Sequence, residues 1–369
     1  MIFHTQVQHQ FLEAPSKRRV KQLIAENYVN FLSRFAKVIL PVWFTIIGHF
    51  FVATVSAQDL EFTQFISSDN YVNPAFAGAG GAGRVSANYR NQWPNMPNTY
   101  LSYRIAYDQP LGDMNSGFGM YIVKDDQGDG VLNSFQLGFQ YMYQIKLGPG
   151  AAINTGFQLG LLQQSLNWNK LQFFDQIDPV FGFNGSSGLP NPTNEAAPPS
   201  LSFSVLDIGA GAAIVTEKLF TGISFQHITQ PTFGFYNSES GVLPMSVSFQ
   251  TGVQIKQKKK RDPFIALPML TWTGQAGANQ LQIGSMFAKS LVMGGLFLKS
   301  NFSQGAGVSL LAGLRKDWLV FTYSYDVTSG GLSGETGGAH EIGVIFRLED
   351  AGKSAKGKYY NVLMRPSVF

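Results

Sequence analysis

Large apolar side chains fall on every second position from Asn133 to Lys146, and no other feature limits the fold as strongly. Phe135, Leu137, Phe139, Tyr141, Tyr143 and Ile145 share one parity. Ser134, Gln136, Gly138, Gln140, Gln144 and Lys146 share the other, with Met142 as the exception. On a helix, residues two apart are turned by about 200°, so these aromatics would ring the cylinder; on a strand they form one face. The period recurs. Ile153, Thr155, Phe157, Leu159 and Leu161 alternate with Asn154, Gly156, Gln158 and Gly160. Met245 to Ile255, Leu319 to Tyr325 and His340 to Leu348 repeat it.

Marking every such segment predicts fourteen strands: 84–92, 99–108, 116–124, 131–146, 150–164, 203–216, 219–229, 244–257, 263–273, 279–288, 291–299, 305–315, 318–327 and 339–348. A soluble sandwich would bury the large residues between two sheets. A membrane barrel would turn them toward lipid. Three features favour the all-β transmembrane antiparallel β-barrel. The second face is Gly, Ser, Gln, Asn and Thr, as a wet or side-chain-filled lumen requires. Aromatics gather near strand ends (Tyr107, Tyr141, Tyr143, Trp272, Trp318, Tyr323, Tyr325), where interfacial girdles lie. Connections after even strands are short, and those after odd strands are often longer, above all 165–202, 230–243 and 328–338. Short periplasmic turns with longer external loops are the outer-membrane arrangement, and an even strand number puts both termini in the periplasm.

The start of the chain supports export. Val38 to Val55 is apolar, basic residues precede it, and Val55-Ser56-Ala57 follows it. This describes a signal peptide cleaved after Ala57. The rival is a permanent anchor, but Pro41, Gly48 and His49 interrupt the run. Residues 1–57 also hold six basic and two acidic residues, which is the whole formal surplus of +4. The remainder is neutral, so the nucleic-acid partner that a basic chain suggests is excluded. With no cysteine, disulfide scaffolds, thiolate metal sites and a Cys nucleophile are excluded too. The expected organisation is a signal peptide at 1–57, a periplasmic segment at 58–83, a barrel at 84–348 and a periplasmic tail at 349–369.

Several motifs then carry a resemblance. Gln58 to Phe65 and Asn73-Pro74-Ala75-Phe76-Ala77-Gly78 open the mature chain. Phe174-Asp175-Gln176-Ile177-Asp178-Pro179 lies in the longest loop, and Gly222 to Pro231, with His227, Gln230 and Pro231, lies at strand 7. Tyr323-Ser324-Tyr325-Asp326 and His340-Glu341-Ile342 lie on the last two strands. Taken in this order, the chain resembles the PorP/SprF family, outer-membrane barrels of the type IX secretion and gliding apparatus of Bacteroidetes. The resemblance implies a non-enzymatic part in export or surface anchoring of large adhesins. It implies docking of the adhesin, or its C-terminal domain, beside the machinery and its periplasmic, peptidoglycan-linked components. The alternative is a porin- or FadL-like transport barrel for small solutes.

Other clusters have plainer readings. Asp125-Asp126-Gln127-Gly128-Asp129-Gly130 opens like a calcium loop, but Gln136 stands where the bidentate Glu belongs, so a hairpin turn is expected. Asp175 and Asp178 suggest a structured loop over the lumen rather than an ion site. No cofactor or metal is expected, and no catalytic set, since His227 and His340 are the only histidines after residue 57. His227 falls on the outward parity with Ile223 and Phe225, which suggests an interfacial or loop-anchoring role. Lys258-Lys259-Lys260-Arg261 is a basic turn, solvated or docking a periplasmic partner. By parity Arg90, Arg104, Asp207, Asp326, Glu341 and Arg347 point inward. Closure makes strands 1 and 14 neighbours, so a charge network of Arg90, Arg104, Asp326 and Glu341 is expected at the seam. Residues 58–83 read as a plug in the periplasmic mouth or a flexible leader, and 349–369 as a partner-binding or disordered tail.

Overall fold

The computed structural model describes residues 59–348 except 65–66, 68, 98, 112–113, 149, 187, 233, 236–240, 258–262, 302–304, 317 and 328–333. All of these lie within one compact unit, 54–369. The expected signal, the Lys258–Arg261 turn and the 349–369 tail lie outside the described residues.

Fourteen antiparallel strands close into a barrel. They are β1 (Arg84–Gln92), β2 (Tyr100–Leu111), β3 (Ser116–Gln127), β4 (Leu132–Gly148), β5 (Ala151–Leu166), β6 (Ser202–Thr216) and β7 (Leu219–Gln226). Next come β8 (Ser246–Val253, whose pairing resumes at Ile255–Lys256), β9 (Ile265–Gln275), β10 (Ala278–Lys289), β11 (Val292–Asn301), β12 (Gly305–Lys316), β13 (Leu319–Val327) and β14 (Ala339–Arg347). Each strand pairs with its neighbours in sequence, and β1 pairs with β14 from Arg84↔Arg347 to Gln92↔Ala339. Closure gives every strand two partners, which is what the absence of water in a bilayer demands.

Parity divides the wall as the alternation predicts. On β4, Phe139, Tyr141, Tyr143 and Ile145 are exposed on the outside, while Gln140 and Gln144 are buried inside. Met142, the exception to the pattern, is fully buried against Ala77. One rim carries short turns, among them 149–150, 217–218 and 290–291, together with the start of β1 and the end of β14. The other carries 93–99, 167–201, 227–245 and 328–338. These are the short-turn rim and the long-loop rim below.

Two local outcomes differ from the periodicity. Strand 7 was expected to run to 229, but β7 stops at Gln226 because His227 takes a left-handed φ of 55°. Inward positions are also not uniformly polar. Phe220, Leu267, Met269, Met286, Met293 and Phe297 are buried in the lumen with Phe76, forming an apolar core. Strands bearing such residues are apolar on both faces, so their parity is hidden in the sequence.

Candidate functional site: an occupied lumen

Residues 59–83 run through the barrel as a thread. At one end Asp59 N–H donates to Gln275 at the tip of β9, on the long-loop rim. At the other, Gly83 O accepts from Leu348 N–H beside the start of β1, on the short-turn rim. The described chain therefore enters at the rim opposite the one from which β1 departs. Residues 59–83 thus reach from one rim to the other, further than the plug expected in one mouth of the barrel. A connection to β1 needs the thread's C-terminal end, not its N-terminal end, at the short-turn rim.

Three sets of contacts hold the thread. The first is at the seam. Arg90 on β1 donates from Nη1 to Asp326 Oδ2 on β13 (2.9 Å) and to Thr63 Oγ1 of the thread (2.8 Å), and lies 3.4 Å from Glu341 Oε2 on β14. Lys299 Nζ on β11 donates to Asp326 Oδ2 at 3.2 Å and to Thr63 Oγ1 at 2.6 Å. Thr63 Oγ1 accepts both cationic donors and gives its own proton to Asp326 Oδ2, using its full hydrogen-bonding capacity. Glu341 is completely buried, and the N–H groups of Thr63 (2.7 Å) and Gln64 (3.2 Å) and Asn88 Nδ2 (3.1 Å) donate to it. Asp326 and Glu341 face Arg90 and Lys299 around one threonine, with the half-buried Glu61 a third acid close by. Hydrogen bonds of this density offset much of the cost of burying the charges, although Arg90 Nε and Asp326 Oδ1 find no hydrogen-bond partner among the described residues.

Arg104, expected in the same network, lies elsewhere. The β1–β2 register sets it opposite Asn88, two residues from the position facing Arg90. Its guanidinium donates to Ser67 O (2.9 Å), Ser86 Oγ (3.1 Å) and Asn70 Oδ1. Arg84 forms the next layer, pairing with Asp69 of the thread's short helix α1 (Asp69–Val72) and with Asp108 at 2.6 Å.

The second set holds Asn73-Pro74-Ala75-Phe76. Asn73 caps a 3₁₀ turn, Pro74–Phe76, by accepting from Ala75 N–H at 2.9 Å, and its Nδ2 donates to Ile223 O. Pro74 suits the first position of the turn, where an N–H would have no partner. The wall is cut back to glycine where the turn touches it. A Cβ on Gly156 would lie 2.2 Å from Ala75 N, and one on Gly211 would lie 2.1 Å from Asn73 Oδ1. Phe76 meets Phe220 edge to face, with centroids 5.8 Å apart. Gly78, at φ 72°, passes its N–H to Asp108.

The third set fastens the thread's start. His227 was expected on the lipid side. Its left-handed backbone reverses the alternation, and its side chain is instead 3% exposed, facing inward. Nε2 lies 2.7 Å from Asp59 Oδ2, and Nδ1 lies 3.0 Å from Asp207 Oδ1. His227 follows the last residue of β7. Burial opposes its charge, but the carboxylates of Asp59 and Asp207 outweigh that and raise its pKa to about 10. Gln230 is left-handed too, and its N–H donates to His227 O, while Pro231 O accepts from Leu243 N–H. The His227–Pro231 motif is thus a built turn that aims one imidazole at the thread.

The remaining motif residues are divided by parity or lie in the loop. Asp326 and Glu341 face in. Tyr323, Tyr325 and His340 face out, with Tyr323 Oη 2.7 Å from His340 Nδ1 and the Tyr325 and His340 rings 4.9 Å apart. In the long loop Asp175 accepts from Thr193 Oγ1 and Asn194 N–H, and Gln176 and Asn191 exchange hydrogen bonds. Asp178 caps a turn over Pro179 by accepting from the N–H groups of Phe181 and Val180, which hold its carboxyl below the usual range. Asp125, Asp126 and Gln127 are the last residues of β3, and the hairpin turn follows at 128–131 with Gly128, Asp129 and Gly130 left-handed. Among the described residues no acid or histidine cluster has the geometry of a metal site.

Lys299, Arg84 and Asp69 were missed in the sequence. Lys299 shares its parity with Met293 and Phe297, so an inward charge was masked by inward apolar neighbours. Above the seam, a recess of about 450 Å³ remains at the long-loop rim, lined by residues including Asp59, Glu61, Trp93, Tyr100 and Lys299.

The fold and the occupied lumen define an integral membrane β-barrel rather than a soluble sandwich. The chain belongs to the family described as type IX secretion system membrane protein PorP/SprF, which matches residues 54–346. Fold and family together support an outer-membrane location. No curated protein matches the chain. Among solved structures, the Acinetobacter baumannii outer membrane protein Omp33 aligns at 6% identity over 73% of this chain and 100% of its own, with a TM-score of 0.40. A Pseudomonas aeruginosa FadL homologue aligns at 13% identity over 76% and 92%, with a TM-score of 0.37. At these scores the likeness says nothing about this chain's function.

Proposed function

We propose that this chain is a closed docking barrel of type IX export, holding a large secreted surface protein at the outer membrane beside the export machinery. The occupied lumen carries the reading. A transporter for small solutes needs a path or an internal site, whereas here the thread engages the inward faces of strands from β1 to β14. The barrel's function then lies on its rims. The short-turn rim, where β1 begins and β14 ends, faces the periplasm and the peptidoglycan-linked components. The long-loop rim faces outward, toward the exported adhesin-type client. Residues 1–57 are an export signal removed after Ala57, so the thread consists of the first residues of the mature chain. No catalytic step is assigned.

The test is deletion followed by profiling of secreted and surface proteins. Loss of one large surface protein, or of a small set, is the expected result. An intact surface proteome with a nutrient-uptake defect would refute docking and support the transport reading. Purified barrel in a planar bilayer should show no steady ion conductance.

A further inference from the structure

The loop between β5 and β6, residues 167–201, is ordered yet presents large apolar side chains to solvent. Phe174 is 93% exposed and Val180 80%, and Ile177, Phe181 and Leu189 are exposed as well. The loop is braced from within. Asp178 and Gly182 exchange backbone hydrogen bonds, Asn191 and Gln176 exchange side-chain to backbone ones, and Asp175 ties Thr193 and Asn194. At its base Asn167 N–H donates to Val131 O, and Lys170 Nζ bonds to Asp129. Its apolar side chains are therefore held out by a built scaffold.

Lipid is not the occupant that the strands indicate. The outward register runs Leu161↔Leu206, then Gln163↔Ser204, then Ser165↔Ser202. Two polar pairs thus separate the last leucine pair from the loop. Four residues at about 3.4 Å each, tilted by roughly 45°, lift the loop about 10 Å beyond the apolar band. The last described strand, β14, ends at the opposite rim, away from this loop. A second copy is disfavoured by charge. The loop holds Asp175, Asp178 and Glu195 against Lys170, so two copies would bring net −2 against net −2.

We infer that this loop is the docking surface for the secreted client, and that the client meets it with an apolar groove bordered by Lys and Arg. This rests on the docking function proposed above. The five side chains offer on the order of 500 Å² of apolar surface, as much as the largest patch on a typical soluble monomer and most of one side of a standard interface. Phe174, being aromatic and nearly free, is the anchor expected to fill a pocket. The acidic flanks set orientation and speed the encounter.

The experiment uses the full-length protein in its own cells, after deletion has identified the client. The triple variant Phe174→Ser, Val180→Ser, Leu189→Ser removes exposed side chains only, so its heat-modifiable gel migration should match the parent. Client retained at the surface should fall at least ten-fold. A photo-crosslinking residue at position 174 should capture that client, and the same residue at lipid-facing position 283 should not. Normal client retention by the folded triple variant would overturn the assignment of this surface and leave the docking function standing. Capture of only lipid or a second copy at position 174 would overturn it as well. A deletion strain that keeps every surface protein would overturn both.

Discussion

Arg90→Ala removes the guanidinium that joins both sides of the seam to the thread. Arg90 is buried and serves Asp326, Glu341 and Thr63 at 2.9, 3.4 and 2.8 Å. Without it Asp326 and Glu341, with the half-buried Glu61 close by, share one remaining cation, Lys299, which bonds to Asp326 at 3.2 Å. Breaking a buried ion pair by removing one partner costs about 3–5 kcal/mol. Glu341 keeps three N–H donors from Thr63, Gln64 and Asn88, which places the loss at the lower end, about 3 kcal/mol. At about 2 °C per kcal/mol for a chain of this size, the folded band in heat-modifiable gel migration should disappear roughly 6 °C earlier. Adding Glu341→Gln should restore part of the loss, because an unpaired amide costs less than an unpaired carboxylate. Equal melting of parent and Arg90→Ala would refute the argument. So would strictly additive losses in the double variant, since they would show that Arg90 and Glu341 do not interact.

Three further outcomes test the thread. Because His227 has a raised folded-state pKa, its contribution is complete below about 6.5 and lost as pH rises through about 10. Protease sensitivity near Asp59 should therefore rise across that window in the parent and be pH-independent in His227→Gln. Gly211→Val should displace Asn73, costing about 1–3 kcal/mol and exposing the thread to protease while the barrel still migrates as folded. The chain has no cysteine, so single substitutions report topology. Leu60→Cys at the long-loop rim should react with an impermeant maleimide on intact cells, whereas Gly83→Cys should react only after the outer membrane is opened. The reverse order would show that the barrel is inserted the other way or that the thread is not in place.

Much of the wall was legible because a strand's side chains alternate by local geometry. Phe139 and Gln140 need no distant residue to be assigned to opposite faces. The same parity brought Arg90, Asp326 and Glu341 inward, and closure of β1 on β14 brought them together. Parity failed where local backbone broke it. His227 has the sequence position of a lipid-facing residue, and a single left-handed φ turned it inside. It was also silent where both faces are apolar, which hid Lys299 behind Met293 and Phe297.

What the sequence alone determined is the barrel: its strand number, its two faces, its alternating turns and three charges of its seam, Arg90, Asp326 and Glu341. These follow from period two and from the demand that lipid-exposed backbone pair completely. Only the tertiary structure decided what fills it. Asp59 meets His227 across 168 residues, and Thr63 meets Glu341 across 278. Gly156 and Gly211 could be read as weak strand positions until Asn73, Pro74 and Ala75 were seen against them. A thread has no period of its own, because its partners belong to many strands and its spacing is set by theirs.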